Sequence, residues 1–462
     1  MPRTHAPFFC ALIGPIAAAF CAHPTPANQP NFVVIMAEAQ GWSNTSVPMD
    51  DRMPDAKSRI FTTPAVERLA REGMRFTYGY AASPRCTPSR AALFTGRSPA
   101  ALHMTYVGLG RSEGPVHTAL LPPEPGLELP AATVTVAELL RDGGYTTAHF
   151  GKWHVGRTDP SRHGFDQSDG ATGNGGPDNV ASPNPKQAFG MTERGIAFMT
   201  AAQRAHRPFY LQLSHYPNQE RKEASGRPER GAKVDSDEID QTVGLLLAAL
   251  DRLGLAANTY VFYTADHGAQ GRVGNAPLSG GKGAVLEGGL RVPFLVRGPG
   301  IAGNVCSRVP VTACDLFPTI AELAAAGPAP REVEGGSLVP VLRDATGRGR
   351  VQRTREELVF HFPHYDLGNG GPATAIIVGA LKLIRNYERG TRRLFDLEQD
   401  PAEAKDLAPS QPEKAAELDA RLTDYLKAVN AQLAKPNPNY DPAMAGEATD
   451  DARGRKGGKR KQ

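Results

Sequence analysis

The stretch NFVVIM, at residues 31–36, is an uninterrupted apolar run with several β-branched side chains. A short run of this kind predicts a strand that is buried on both faces, as in a parallel sheet. The segment TTPAVERLAREG, at 62–73, predicts the helix that follows. Thr63 is placed to cap that helix, Pro64 suits its first position and Gly73 marks its end. The chain therefore begins as a buried strand followed by a helix.

The same alternation continues along the chain. Periodicity and capping residues predict further helices at 133–144, 236–254 and 315–327, and apolar runs predict further strands at 145–150, 258–265 and 292–298. Strands that alternate with helices imply a mainly parallel sheet that is covered by helices on both faces. The sequence therefore predicts an α/β fold.

The C-terminal third differs in pattern. Residues near 343–355 have the composition of a linker, and beyond them the segments 374–386 and 392–398 are predicted to pair as antiparallel strands. A long helix is predicted at 412–433. We therefore expect two domains and two flanking segments: a signal peptide at 1–28, a catalytic domain at 29–345, a smaller α+β domain at 352–435 and a disordered basic tail at 436–462.

The two ends of the chain indicate its compartment. A basic start and an apolar run within residues 1–28 predict a signal peptide and an exported protein, either periplasmic or secreted. A membrane anchor and a lipid-carrying Cys21 are the alternatives. The last ten residues carry six positive charges, which is typical of a solvated tail, although polyanion binding stays open. We expect no nucleic-acid partner, and no later apolar run is long enough to span a membrane.

The chain has 462 residues with 40% apolar and 22% charged side chains, so it is globular rather than disordered. Outside the signal peptide it has three cysteines, which excludes a disulfide scaffold. Cys306 and Cys314 are interpreted either as a pair or as two free thiols. The third, Cys86, needs an explanation of its own.

Cys86 lies between two prolines in SPRCTPSRAALFTGR, at residues 83–97. The pattern predicts a helix with Thr87 as its N-cap and Gly96 at its end, so that Cys86 lies just before a helix N-terminus. Backbone N–H groups, the helix dipole and the nearby Arg90 would lower the pKa of the thiol there. A chemical role is therefore favoured over burial as a small apolar side chain.

The motif CTPSR, at 86–90, and the trailing TGR resemble the signature of the formylglycine-dependent (type I) sulfatases of the alkaline-phosphatase-like superfamily. The resemblance extends from Pro30 to about Leu407. It implies a large, mainly parallel or mixed sheet flanked by helices, with a smaller C-terminal α+β domain. In that family a maturation enzyme oxidises the cysteine to formylglycine (3-oxoalanine) during export. By this resemblance Cys86 is the precursor of the nucleophile.

The resemblance also implies a mechanism. One hydroxyl of the hydrated aldehyde attacks the sulfur of a sulfate ester, and the other loses its proton as sulfate is expelled. By resemblance, Lys152 in GKWHVG holds the hydrate and the sulfate, and His154 takes that proton. Lys282, in the Gly-rich loop that begins at residue 280, would bind sulfate. These cations and Arg90 would stabilise the anionic transition state.

The segment TADHG, at 264–268, follows a predicted strand and resembles the metal-binding element of the family. Asp266 would be a carboxylate ligand, and His267 a ligand where relatives often carry Asn. Glu38 and the modified Cys86 complete the predicted ligand set. Hard carboxylate oxygens suit Ca²⁺ or Mg²⁺.

Two positions depart from the family pattern. After the first strand the family usually reads Ala-Asp-Asp-x-Gly, whereas residues 37–41 read AEAQG. Glu38 is one methylene longer than Asp, and Ala39 cannot bind a metal, so one carboxylate is lost. Asp50 and Asp51 are candidate replacements, with two exposed loop acids as the alternative.

The second departure lies in LSHYPNQE, at 213–220. Relatives often carry the histidine that protonates the leaving group near the position of Gln219, and an amide cannot act as an acid at neutral pH. His215 or Lys282 are candidate replacements, although His215 is equally interpreted as a packing residue.

We therefore expect hydrolysis of a sulfate monoester, either an aryl or a carbohydrate sulfate. The substrate would be a sulfated small molecule or polysaccharide, and the loop at 157–190 would contribute to specificity. The departures keep two alternatives open: a catalytically impaired protein that binds sulfated glycans, and a phosphate or phosphonate monoester hydrolase of the same superfamily.

Overall fold

A computed structural model describes residues 29–108, 117–174, 188–216, 221–222, 228–229, 233–270, 274–366 and 370–444. The predicted signal peptide, Gln219 and the predicted tail after residue 444 lie outside this part of the chain, as do residues 175–187 of the predicted specificity loop. No helix in the described part is both long and apolar enough to cross a membrane.

Strands and helices alternate through the described residues. The strands are β1 (Asn31–Ala37), β2 (Met74–Phe76), β3 (Gly79–Tyr80), β4 (Leu120–Leu121), β5 (Thr146–Gly151), β6 (Gln167–Ser168), β7 (Phe209–Ser214), β8 (Arg221–Lys222), β9 (Pro228–Glu229), β10 (Thr259–Ala265), β11 (Leu295–Arg297), β12 (Val305–Ser307), β13 (Val311–Thr312), β14 (Leu358–Phe362), β15 (Ala373–Val378), β16 (Leu381–Asn386), β17 (Thr391–Asp396) and β18 (Lys435–Pro436). The helices are α1 (Pro64–Glu72), α2 (Cys86–Thr95), α3 (Pro99–Leu102), α4 (Val136–Asp142), α5 (Ala188–Arg204), α6 (Lys233–Arg252), α7 (Glu287–Leu290), α8 (Leu316–Leu323), α9 (Val339–Leu342) and α10 (Pro412–Ala428).

The central sheet has the strand order β12-β2-β11-β10-β1-β7-β5-β6. The strands from β10 to β6 in this order run parallel, and β11 is antiparallel to both of its neighbours. β1 lies near the middle, and all seven of its residues are buried, as its apolar sequence predicts. The predicted α/β fold with a mainly parallel sheet is confirmed.

Helices cover both faces of this sheet. Phe32 and Val34 of β1 belong to a hydrophobic core that includes residues of α2, α4 and α8. Val33 and Ile35 belong to a second core that includes residues of α1, α5 and α6. Because successive side chains of a strand point to opposite faces, one apolar run serves both cores.

The C-terminal part is an antiparallel sheet of order β14-β15-β16-β17 with α10 packed on one face. Its other face contacts apolar residues of the larger part, including Tyr80 and Leu290. The predicted antiparallel pairing of segment 374–386 with segment 392–398 is present as β16 with β17. The division of the first segment into the paired strands β15 and β16 was not predicted from the sequence, and neither was β14. The boundary between residues 345 and 352 stays a prediction.

The carboxyl ends of four neighbouring parallel strands meet at one edge of the central sheet. Ala37, the last residue of β1, is in register with Ala265, the last of β10. β5 and β7 also end together, at Gly151 and Ser214. Side chains that directly follow these strands therefore begin close to one another, which is where ligand sites form in α/β proteins.

The start of α2 differs from the prediction. The helix begins at Cys86, with Arg85 as its N-cap, because the N–H of Ser89 already donates to the carbonyl of Arg85 at 3.3 Å. Cys86 is therefore the first residue of the helix rather than the residue before its cap. The predicted end is correct, since Gly96 adopts a left-handed φ of 65° directly after Thr95.

Candidate active site

Four potential metal ligands meet at the edge of the sheet. Their ligand atoms all lie within 4.8 Å of one another, and all four side chains are buried: Glu38, Cys86, Asp266 and His267. Glu38 directly follows β1, Asp266 and His267 directly follow β10, and Cys86 begins α2. The structure thus brings together the four residues that the sequence analysis proposed as ligands.

The distances within this cluster are short. Cys86 Sγ lies 3.3 Å from His267 Nε2 and 3.4 Å from Glu38 Oε1. His267 Nε2 lies 3.5 Å from Asp266 Oδ1 and 3.8 Å from Glu38 Oε1. We call Glu38 Oε1 and Asp266 Oδ1 the inner oxygens, because they face the thiol and the imidazole.

Two buried cations bind the other oxygen of each carboxylate. Arg90 donates to Glu38 Oε2 and to Asp266 Oδ2, both at 2.9 Å, and Lys152 Nζ donates to Glu38 Oε2 at 2.9 Å. Both cationic side chains are fully buried, at 0% exposed. Arg90 and Lys152 therefore offset the negative charge of the carboxylates at their outer oxygens, and the inner oxygens face the cluster.

The buried charges shift the pKa values of the site. Burial alone would raise the pKa of Glu38, but Lys152 and Arg90 outweigh it and hold that pKa well below its usual range. Burial and the Glu38 carboxylate raise the pKa of Asp266 to about 6. Burial and Glu38 also oppose ionisation of Cys86, yet the charges of His267 and Lys152 lower its pKa to about 6. The predicted activation of the thiol is present, with His267 and Lys152 among its causes.

Backbone groups orient two of the potential ligands. His267 Nδ1 lies 2.9 Å from the carbonyl oxygen of Gly268, which can only accept, so Nδ1 carries a proton and Nε2 is the nitrogen that faces the cluster. Burial opposes the charge on the imidazole, but Asp266 and Cys86 raise its pKa, so a metal ion at Nε2 would displace a proton. The N–H of Ala39 donates to Asp266 Oδ1 at 3.0 Å. A divalent cation fits this donor set, which combines two inner carboxylate oxygens, one imidazole nitrogen and position 86.

Lys282 and His154 lie at the margin of the cluster. Lys282 Nζ is 3.8 Å from the inner oxygen of Glu38, and its side chain is 13% exposed. His154 Nδ1 is 3.5 Å from Thr87 Oγ1, and burial, with Lys152 next in size, lowers the pKa of the imidazole to about 3. The segment from Lys152 to His154 is not a continuous extended strand, since β5 ends at Gly151 and His154 has a left-handed φ of 55°.

Asp50 and Asp51 do not join the cluster. Asp50 is buried and forms ion pairs with Arg52 and Arg308, and Asp51 pairs with Arg308. Their carboxylates are therefore used in ion pairs, and the hypothesis that they replace the lost ligand is wrong. Asp51 is half exposed, as the alternative expected, whereas the burial of Asp50 was not expected.

The candidate proton donor His215 is a packing residue in this structure. Its Nε2 lies 3.1 Å from Thr242 Oγ1 of α6, its side chain is buried, and burial lowers its pKa to about 4. A histidine in this state is neutral, and its Nε2 contacts Thr242. Cys306 and Cys314 are both free, so the alternative of a disulfide between them is wrong.

The sequence analysis missed an ion pair beside the cluster. Arg85 forms a two-pronged ion pair with Asp366, which belongs to the C-terminal part. The two residues are 281 positions apart, and no local pattern marks Asp366 as special. This contact fixes the residue before Cys86 against the C-terminal part.

Comparisons with known proteins identify the family of the chain. Residues 30–326 match the family model described as Sulfatase, and residues 281–432 match the model described as N-sulphoglucosamine sulphohydrolase, C-terminal. The chain is 31% identical to the steryl-sulfatase of Mus musculus, with 96% of this chain and 88% of the relative covered. It is also 31% identical to the arylsulfatase A of Bos taurus, with coverage of 93% and 92%.

A solved structure shares the fold. The crystal structure of Ps i-CgsB in complex with k-i-k-neocarrahexaose superposes with a TM-score of 0.71 at 23% identity. The superposition covers 92% of this chain and 98% of that one. The fold, the match of the family model to more than half of the chain and the full-length relatives agree. The chain belongs to the sulfatase family.

Proposed function

We propose that this sulfatase hydrolyses a sulfate monoester through a formylglycine formed from Cys86, with a divalent cation bound beside it. The observation that carries the proposal is the convergence of Cys86 with Glu38, Asp266 and His267 at the start of α2. The thiol is buried in a charged cluster rather than in an apolar core, so packing does not account for its position.

The residues of the cluster have separate roles in this proposal. The inner oxygens and His267 Nε2 would hold Ca²⁺ or Mg²⁺. The hydrated aldehyde would supply the nucleophile, and the metal ion would supply positive charge. Arg90 and Lys152 hold the outer oxygens and keep Glu38 ionised. Arg90 and Lys152 therefore contact the metal ligands directly and would affect the bound metal ion only through those ligands.

Lys282 and His154 are the side chains proposed to act on the substrate. Lys282 is partly exposed next to the inner oxygen of Glu38, so its ammonium can contact a sulfate oxygen without leaving the site. It is also the proposed donor to the leaving oxygen, since His215 is buried against Thr242. His154 stays the side chain proposed to take the proton of the second hydroxyl, and it is neutral here because burial lowers its pKa to about 3.

The substrate class proposed is a sulfated carbohydrate or a smaller sulfate ester. A protein of the same fold was solved with a neocarrahexaose, which supports a saccharide, and the relatives named steryl-sulfatase and arylsulfatase A support smaller alcohols. Export through a signal peptide at 1–28 and a maturation enzyme that converts Cys86 belong to the same proposal.

The test begins with the state of residue 86. The protein is expressed with a formylglycine-generating enzyme beside a control sulfatase, and the peptide that contains Cys86 is measured by mass spectrometry. The sulfate and phosphate esters of 4-nitrophenol are then compared as substrates, with and without EDTA. Conversion with sulfate-ester turnover that EDTA removes is the expected result.

Three other outcomes contradict this proposal. A thiol at residue 86 beside a converted control removes the nucleophile. A preference for the phosphate ester favours a phosphomonoesterase. Binding of a sulfated glycan without turnover, by converted protein, favours a binding protein.

A further inference from the structure

We infer that the folded protein, in its unmodified thiol form, binds Zn²⁺ at a site made by Cys86, His267, Glu38 and Asp266. This site differs from the cation site proposed for the converted enzyme in its donor set and in its preferred ion. It rests on the geometry of the thiol form and not on turnover, so it stands or falls independently of the proposed hydrolysis.

The donor atoms favour Zn²⁺ over Ca²⁺. The cluster offers one sulfur, one imidazole nitrogen and two inner carboxylate oxygens. Thiolate and imidazole are the common ligands of Zn²⁺, whereas Ca²⁺ takes about six to eight oxygens. Since residue 39 is Ala, this cluster lacks the further carboxylate that would move the balance towards Ca²⁺.

The spacing of the donors suits four-coordinate Zn²⁺. Bond lengths of about 2.0–2.3 Å give a tetrahedron with edges of about 3.3–3.5 Å. The cluster has edges of 3.3 Å from Cys86 Sγ to His267 Nε2 and 3.4 Å from Cys86 Sγ to Glu38 Oε1. The edges from His267 Nε2 to the inner oxygens of Asp266 and Glu38 are 3.5 and 3.8 Å, and no pair exceeds 4.8 Å.

The surroundings hold the donors in this arrangement. Arg90 and Lys152 bind the outer oxygens, so each carboxylate is left to bind a metal through its inner oxygen alone. The carbonyl of Gly268 fixes the imidazole with Nε2 towards the cluster. The two buried cations also offset the negative charge that a thiolate and two carboxylates would add around Zn²⁺.

A consequence is that metal binding shields the thiol. Cys86 is buried between His267 and Glu38, and a bound Zn²⁺ would take up the sulfur lone pair with which a thiolate attacks alkylating reagents. Protein that escapes conversion is then expected to carry Zn²⁺ and a protected thiol. Cys306, a partly exposed thiol outside the cluster, is the internal reference for this effect.

The experiment uses untagged full-length protein made without a maturation enzyme, with the thiol verified by mass. Zinc content after dialysis is measured by elemental analysis, with and without a hundredfold excess of Ca²⁺. Co²⁺ is then substituted for zinc, and the rate of alkylation of Cys86 is followed. We expect one Zn²⁺ per chain that Ca²⁺ does not displace, a thiolate-to-cobalt charge-transfer band, and alkylation at least tenfold slower with Zn²⁺.

Two variants complete the test. His267→Asn and Cys86→Ser should each weaken Zn²⁺ binding at least tenfold, whereas His206→Asn, the same substitution at an exposed histidine, should not. Unchanged zinc affinity in the first two, displacement by Ca²⁺ or the absence of the charge-transfer band overturns the inference. The band and the alkylation rate are measured on the wild type, so the inference stays testable if a variant does not fold. Sulfate-ester turnover of converted protein is scored separately.

Discussion

Two buried charge networks in the described part of the chain have opposite designs. In the candidate active site, Arg90 and Lys152 bind the outer oxygens of Glu38 and Asp266. In the second network Lys382 of β16 lies 2.8 Å from Glu287 and 2.9 Å from Glu403, and all three side chains are 0% exposed. The first network leaves inner oxygens directed at a thiol and an imidazole, whereas the second pairs its carboxylates with cations and donors.

We call the second network closed, because each of its carboxylate oxygens lies within 2.9 Å of a cation or a donor, and the first network open. Glu287 Oε2 accepts from the hydroxyl of Tyr80 at 2.9 Å, and its Oε1 faces Lys382. Glu403 Oε2 accepts from Ser279 Oγ at 2.8 Å and from the backbone N–H of Glu287 at 2.7 Å, and its Oε1 faces Lys382. Burial disfavours the charge on Lys382, but the two glutamates raise its pKa and keep it protonated.

The difference indicates what separates a functional network from a structural one. Both networks bury charges at a high desolvation cost, and both offset it with opposite charges. The closed network joins the C-terminal sheet to α7, just after the loop that carries Lys282. In the open network the inner oxygens remain available to bind a metal ion. Substitutions there should therefore lower activity more than they lower the free energy of unfolding.

The largest effect is expected for the open network when the nucleophile is removed. Cys86→Ala should lower kcat/KM for a sulfate ester by about 10⁴-fold or more, because the proposed formylglycine cannot form from alanine. The free energy of unfolding should change little. Steady-state kinetics and urea denaturation measure the two quantities, with Cys306→Ala as the control, and a substantial residual rate would contradict the assignment.

Breaking the closed network should instead reduce stability. Lys382→Met removes the ammonium that both buried glutamates contact and leaves Glu287 with Arg291 Nη1 at 3.5 Å, which should lower the free energy of unfolding by about 3–5 kcal/mol. Urea denaturation is the measurement, and Lys427→Met, the same substitution at an exposed lysine of α10, is the control. A loss no larger than that of the control would show that the two networks do not differ in this way.

Substitution of Lys282 in the open network should also lower kcat/KM, by less than the substitution of Cys86. Because its ammonium is partly exposed and 3.8 Å from Glu38, Lys282→Ala should lower kcat/KM by about 10²–10³-fold with little change in stability. Lys57→Ala removes an exposed lysine elsewhere and serves as the matched control. Equal kinetics for the two variants would remove Lys282 from the site.

The smallest change in stability and metal content is expected for Asp51, which forms an ion pair with Arg308 at the surface. Asp51→Asn should change stability by no more than about 1 kcal/mol and leave the metal content of converted protein unchanged, because Asp51 pairs with Arg308 outside the cluster. Glu38→Ala, measured in parallel by elemental analysis, should lower metal content and activity together. Metal loss in Asp51→Asn would return that residue to the ligand set.

The sequence by itself determined the elements that build the site. The apolar run of β1, the helix signals of α1 and α4, and the ends of α2 and α6 are local patterns, so a short window is sufficient to read them. The residues of the cluster were found because CTPSR, TADHG and AEAQG resemble motifs of the sulfatases, and in the structure CTPSR begins α2 while DHG directly follows β10. β14 was missed, and its partner β15 lies eleven residues further along the chain.

Only the tertiary structure decided how the charges are paired. Arg308 forms ion pairs with Asp50 and Asp51, and Asp366 forms an ion pair with Arg85. Lys382 forms ion pairs with two glutamates from separate segments. Each of these pairs links residues that are far apart in sequence, and a charged side chain carries no local sign of its partner. The same holds for the division of the carboxylates into inner and outer oxygens, because that division depends on where Arg90 and Lys152 arrive in space.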